Sequence, residues 1–222
     1  MRLFDPARLP DPQVMSRRHR ALQLVEEAVF ESDDVSFDWD PEESRGSWDS
    51  FEGDEYVLYA PGDRALVWAF DHESPFSPWA HDPPLDAWPG MFDGMPDDLV
   101  ALLDSEHDEM RKSITCCFWY VDGAWHAGSP EIPDSAARWR DPDRDPQGAE
   151  LELGPLFSDD AVARFTDELW EEPELRAAVV ALVAAAGRGE PLDAEIVWPF
   201  SNEEDSAEDL LARAAALGLP TA

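Results

Sequence analysis

The chain predicts an α+β fold: a twisted antiparallel sheet of about four to six strands, packed with an N-terminal helix and flanked by C-terminal helices. Three observations lead there. Two pairs of strand-like runs are each joined by a turn signal, one helix-period run precedes them, and three more gather towards the C-terminus. Helices and strands are therefore segregated rather than alternating one for one, which argues against a doubly wound α/β sheet.

Taken in order, Leu3 to Pro12 is proline-punctuated and reads as extended. From Gln13, the apolar residues Val14, Met15, Ala21, Leu22, Leu24, Val25, Ala28 and Val29 recur at near-helical spacing. Arg17, Arg18 and Arg20 lie in the first half of this helix, with Glu26 and Glu27 in the second. That order opposes the helix dipole at a cost of roughly a few tenths of a kcal/mol per charge, so tertiary packing must hold the helix.

Val35 to Trp39 alternates apolar and polar residues as a half-buried strand does, and Asp40 to Gly53 reads as a polar loop. Tyr56 to Tyr59 and Ala65 to Phe70 flank Pro61-Gly62-Asp63, the clearest hairpin in the chain. Asp71 to Pro96 reads as a long loop rich in proline, tryptophan and glycine; loops of that length are often functional. Pro96 to Leu103 predicts a short helix with acids in its first turn. Ile114 to Val121 and Ala124 to Ala127, about Asp122-Gly123, predict a second hairpin.

Ser129 to Gln147 is irregular. Leu151 to Leu153 and Ala194 to Trp198 read as short strands. Asp159 to Glu171, Glu174 to Ala186 and Ser206 to Leu217 read as helices, the last stopped by Gly218 and Pro220. The expected organisation is an α+β core over 1–132, an acidic Pro-rich connector over 133–150, and a mainly helical part over 151–222 packed on the core.

Fifty acidic side chains stand against sixteen basic ones, a formal charge of −34. A field of that sign repels nucleic acid and anionic lipid and attracts basic proteins. A disordered acidic tail is poor in aromatics, whereas ten tryptophans are present here, so the charge coats a folded body. The two cysteines, Cys116 and Cys117, are adjacent, poorly placed to bridge each other, and suited to a reducing compartment. With no apolar signal core at the start and no apolar run long enough to span a bilayer, a cytoplasmic location is expected.

No Gly-rich phosphate cradle, nucleophile elbow or kinase signature is present. Asp141 to Glu152 places oxygens at positions 1, 3, 5, 7 and 12 of a calcium-type loop. Pro146, however, stands where that loop needs glycine, and an acidic surface loop is the better reading. Asp71, His72 and Glu73, with His81 beyond, combine imidazole and carboxylate for a divalent metal or an acid-base pair. The competing and weightier reading is that they fasten the long loop through its backbone. His107 falls in an acidic run that reads as a solvated turn. The cysteines sit in an apolar strand run and read as buried and inert, and no cofactor is expected.

Trp68 and Trp119 read as core. Trp48, Trp79 and Trp88 sit in loop-like stretches, where they either anchor a partner or fold inward. Asp38, Asp40, Glu42, Glu43, Trp48, Asp49, Trp79 and Trp88 are the expected interface, since aromatic anchors beside complementary charge suit protein recognition.

Phe4-Asp5-Pro6, Arg18-His19-Arg20-Ala21-Leu22, Phe70-Asp71-His72-Glu73-Ser74-Pro75, Ser77-Pro78-Trp79, Trp88-Pro89-Gly90 and Phe92-Asp93-Gly94 resemble a family of acidic, Trp-rich proteins of high-GC Gram-positive bacteria. The likeness covers roughly the first 130 residues. That family has no established activity, so the resemblance implies a shared fold and carries no catalytic residue across. The chain is also similar in style to immunity proteins of bacterial toxin systems. The expected function is an acidic, cytoplasmic module that binds a basic protein such as a nuclease toxin, with a metal-assisted hydrolase as the alternative. A halophile-style coat, which needs no partner, also accounts for the charge.

Overall fold

The computed structural model describes residues 3–29, 36–80, 82, 85, 87–105, 114–132, 145–169, 172–202 and 205–222. Val35, His81, His107 and the stretch 133–144 lie outside the described residues. In chain order the elements are α1 (Pro12–Val29), β1 (Ser36–Asp40), β2 (Arg45–Asp49), β3 (Glu55–Tyr59), β4 (Ala65–Phe70), α2 (Asp97–Ser105), β5 (Cys116–Val121) and β6 (Ala124–Ala127). Six helices follow: α3 (Ala149–Glu152), α4 (Gly154–Phe157), α5 (Asp159–Leu169), α6 (Pro173–Arg188), α7 (Ala194–Val197) and α8 (Ala207–Ala216). The class is α+β, as the segregation of elements predicts, and the strand pairings within each unit are antiparallel.

The chain divides into two compact units, each assembled from separated stretches. The first takes Met1–Leu9 and Glu52–Leu153; the second takes Pro10–Phe51 and Gly154–Ala222.

In the first unit, β3 to β6 form a meander in sequence order, with Val57 opposite Trp68, Trp68 opposite Cys117 and Tyr120 opposite Trp125. β4 is buried along nearly its whole length, which is why it reads as a continuous apolar run instead of an alternating one. Leu66, Trp68 and Trp119 share a core with Phe76 and Met91 of the long loop and with Leu99 and Leu103 of α2. Leu99 and Leu103, four apart, fall on one helix face. Both predicted hairpins are present.

In the second unit α1 packs against α4, α6, α8 and β1. Its arginines explain a charge order that the dipole alone disfavours. Arg17 donates to the carbonyls of Ala186 and Gly187 at the end of α6, 3.0 and 2.9 Å away. Arg20 donates to the carbonyls of Leu217 and Gly218 just past α8, at 2.9 and 3.0 Å. The last carbonyls of a helix lack intrahelical donors and carry its negative pole, so α1 supplies cations to two helix C-termini. Arg18, buried, donates to the Pro155 carbonyl at 2.9 Å and pairs with Asp159 in the first turn of α5 at 2.7 Å.

Three elements differ from expectation. The polar loop assigned to Asp40–Gly53 contains β2, because pairing with β1 and burial of Trp48 outweigh the low strand propensity of Gly46 and Ser47. Leu151–Leu153 is not a strand: Leu151 and Glu152 belong to α3, and their amides both bond back to the Gly148 carbonyl. Ala194–Trp198 is helical, since the Asp193 side chain caps the amides of Glu195 and Ile196 at 3.0 and 3.1 Å. Four-residue apolar runs do not separate strand from helix by period alone.

Candidate functional site

The β1–β2 hairpin of the second unit sorts its side chains by the period of two. Phe37 and Trp48, opposite each other in register, face inward and pack on Phe165 of α5 with ring centroids 5.9 and 6.3 Å away. The other parity brings Asp38, Asp40 and Asp49 to the outer face, interrupted by one cation, Arg45. Glu42 and Glu43 extend that face through the tight turn, both exposed. Asp40 orders the turn by accepting the amides of Glu42 and Glu43 at 2.8 and 3.1 Å. Five of the eight predicted interface residues therefore share one hairpin surface.

The three tryptophans of that set fare differently. Trp48 lies in β2 and is buried, not looped out. Trp88 is buried as well, and its indole N–H donates to the Glu131 carbonyl at 2.6 Å. Both are core residues that cannot offer an indole to a partner. Trp79, in a 3-10 turn of the first unit, is 47% exposed.

His19 supports the hairpin from beneath. Its ring is fully buried and its Nε2 lies 2.8 Å from the Asp38 carbonyl. Burial, with Arg20 and Arg45 nearby, lowers its pKa to about 4, so the imidazole is neutral and donates from Nε2. The ring occupies the space that a side chain on Gly46 would need, since a Cβ there would meet it at 2.8 Å.

The predicted Asp71–His72–Glu73 group lies in the first unit, where β4 ends. Register explains its geometry: Glu55 pairs with Phe70, so the next residue on each side brings Asp54 towards Asp71 and His72. The His72 ring Nδ1 lies 2.7 Å from Asp54 Oδ1, and the His72 amide donates to the same oxygen at 2.9 Å. That hydrogen bond holds the imidazole pKa above its ordinary value. Ligand-type atoms of Asp54, Asp71 and His72 all lie within 4.8 Å of one another. Glu73 contributes its amide to Asp71 Oδ1 at 2.8 Å instead of a carboxylate to the group. His81, the fourth predicted member, lies outside the described residues. Asp54 is the member that sequence reading missed; extending the hairpin register one pair outward would have found it.

A buried polar seam fastens this strand end. The Asp71 amide donates to Thr115 Oγ1 at 3.1 Å, Thr115 Oγ1 donates to the Gln147 carbonyl at 2.8 Å, and Ser74 Oγ donates to the Pro146 carbonyl at 2.6 Å. Loop fastening, one of the two roles expected of Asp71, is thus present. Of the calcium-type loop, residues 141–144 lie outside the described residues. Its remaining ends face inward: Asp145 caps the amides of Gln147 and Ala149, and Glu152 is buried in α3. Burial raises the Asp145 pKa to about 6.

Cys116 and Cys117 are buried in β5 with their sulfurs unbridged. No helix among the described residues is long and apolar enough to cross a membrane. Comparison of the chain with family models, with curated proteins and with solved structures finds no match.

Proposed function

We propose that the chain is an acidic, cytoplasmic protein-binding module whose β1–β2 hairpin engages a basic protein, in the manner of an immunity protein that neutralises a nuclease toxin. The observation that carries this reading is the hairpin face on which Asp38, Asp40 and Asp49 line up beside Glu42 and Glu43. Complementary charge speeds encounter and rejects like-charged partners such as nucleic acid. The buried Phe37 and Trp48 on the opposite side hold the carboxylates on a rigid element, which lowers the ordering cost of binding.

The test is co-purification with the product of the neighbouring gene at low and high salt, using the native chain and D38N/E42Q/E43Q/D49N. The expected result is salt-sensitive capture that the quadruple variant loses. Capture unaffected by the four substitutions, or no basic partner at any ionic strength, would end the reading.

The convergence of Asp54, Asp71 and His72 favours a second reading, metal-assisted hydrolysis with Glu73 and His81 close in sequence. A divalent ion held there would polarise a substrate oxygen or lower the pKa of a bound water. Calorimetric titration with zinc and manganese, repeated on His72→Ala, tests it; no binding by the native chain sinks it.

A further inference from the structure

We infer that a groove beside Trp198, in the second unit, receives an arginine side chain from a basic protein segment. The inference rests on the basic-partner reading but places the anchor away from the residues that sequence reasoning chose. The groove has a volume of about 540 Å³ and runs between the end of α1, the start of α6 and the 3-10 turn Trp198–Phe200.

Its chemistry is specific in three respects. Trp198 is 69% exposed, the most exposed large hydrophobic among the described residues. It nonetheless sits on a firmly held turn, because Val197 and Phe200 on either side are buried and Pro199 fixes the backbone between them. An indole this open to solvent on a rigid frame is a platform on which a guanidinium stacks favourably.

Among the described residues, Glu172 and Glu174 are the only charged ones lining the groove. Glu172 occupies the N-cap position of α6, yet its side chain makes no capping bond there, so its carboxylate is not committed to the helix. Glu174 stands one turn position beyond Pro173. Carboxylates sharing a groove with an exposed indole complement the planar fork of arginine better than the point charge of lysine.

Val29 and Leu175 supply the apolar wall along which the methylene stem of arginine can lie. Ser201 also lines the groove. Net charge selects the occupant: a chain at −34 draws cationic segments to every part of its surface, and this groove adds an aromatic platform.

The experiment is calorimetric titration of the full chain with a hexa-arginine peptide, and with hexa-lysine alongside. Four proteins are compared: native, Trp198→Ala, E172Q/E174Q and D160N/E208Q, a charge-matched control at exposed positions away from both the groove and the hairpin. Hexa-arginine should bind the native chain more tightly than hexa-lysine. Its affinity should fall about tenfold in Trp198→Ala and in E172Q/E174Q, while D160N/E208Q binds as the native chain does. Equal affinity for the two peptides, or unchanged binding by both groove variants, overturns the inference. If the groove variants bind normally while D38N/E42Q/E43Q/D49N loses its co-purifying partner, the groove inference fails and the hairpin reading stands. Loss confined to the groove variants supports the groove and leaves the hairpin to its own test. Because Trp198 and both glutamates are exposed, the variants should fold; matching far-UV circular dichroism checks this.

Discussion

The buried ring of His19 donates from Nε2 to the carbonyl oxygen of Asp38 across 2.8 Å, joining the middle of α1 to β1. The hydrogen bond lies directly under the acidic face, so the hairpin that carries five carboxylates depends on one neutral imidazole. The ring also touches Phe37 edge-on, at 5.7 Å between centroids.

Acid should loosen this junction. The folded-state pKa of His19 is about 4 against an ordinary 6.5. Between those values the unfolded chain binds the proton and the folded chain does not, so the neutral ring's contribution is full above pH 6.5 and lost as pH falls towards 4. The shift corresponds to about 3 kcal/mol. Glu26, raised to about 7 by burial, and Asp145 work in the opposite sense, so the native chain alone would hide the effect. Urea unfolding of the native chain and His19→Gln at pH 7 and pH 4 isolates it. The stability difference should move by about 3 kcal/mol in favour of the variant at acid pH.

Gly46→Ala should destabilise the fold by about 1–3 kcal/mol, because the new Cβ would press on the His19 ring. His19→Ala in the same chain should recover part of that loss. Thermal melts of both variants and of the double variant check the coupling, and additive losses would contradict it.

Arg20→Met keeps the aliphatic stem and removes the donors to the Leu217 and Gly218 carbonyls. A loss of about 1–2 kcal/mol is expected. Arg20→Lys should restore only part of it, since one ammonium cannot reproduce the fork. Chemical denaturation at neutral pH reads both values.

Asp54→Asn should return the His72 pKa towards its ordinary value, because the Asp54 hydrogen bond is the main cause of its rise. Proton NMR titration of the His72 ring reads the pKa directly. A downward move is expected, and an unchanged titration would mean that Asp54 does not govern this imidazole.

Neither cysteine should react with a thiol reagent in the folded protein. Burial pushes the Cys116 thiol well above its usual pKa, and the nearby Asp145 adds to the rise. Labelling with Ellman's reagent should appear only when the chain unfolds, with a rate that follows unfolding.

The hairpins flanking Gly62 and Gly123 were legible because turn signals and strand-forming runs agree there. So were α1, α5, α6 and α8, from their periodicity. β2 was not, since Arg-Gly-Ser-Trp-Asp looks like loop until Phe37 and Phe165 give Trp48 a place to be buried. α7 was hidden for the complementary reason: its cap, Asp193, identifies a helix start only once the next four residues are known to turn. The acidic face of the hairpin could be anticipated from alternation in β1, but the contribution of Asp49 depends on the unseen partner strand. Trp198 was read as the end of a strand, so its exposure beside Glu172 and Glu174 left no trace in local pattern.

The arginine clamps of α1 set a timetable for biosynthesis. Arg20 leaves the ribosome 197 residues before Leu217, the backbone group it must hold, and Arg17 waits 169 residues for Ala186. Throughout that interval α1 has cations in its own first half and no distant carbonyl to neutralise them. Nascent α1 should therefore remain a substrate for chaperones until Leu217 and Gly218 have emerged, and a premature stop ahead of Leu217 should expose it to proteases.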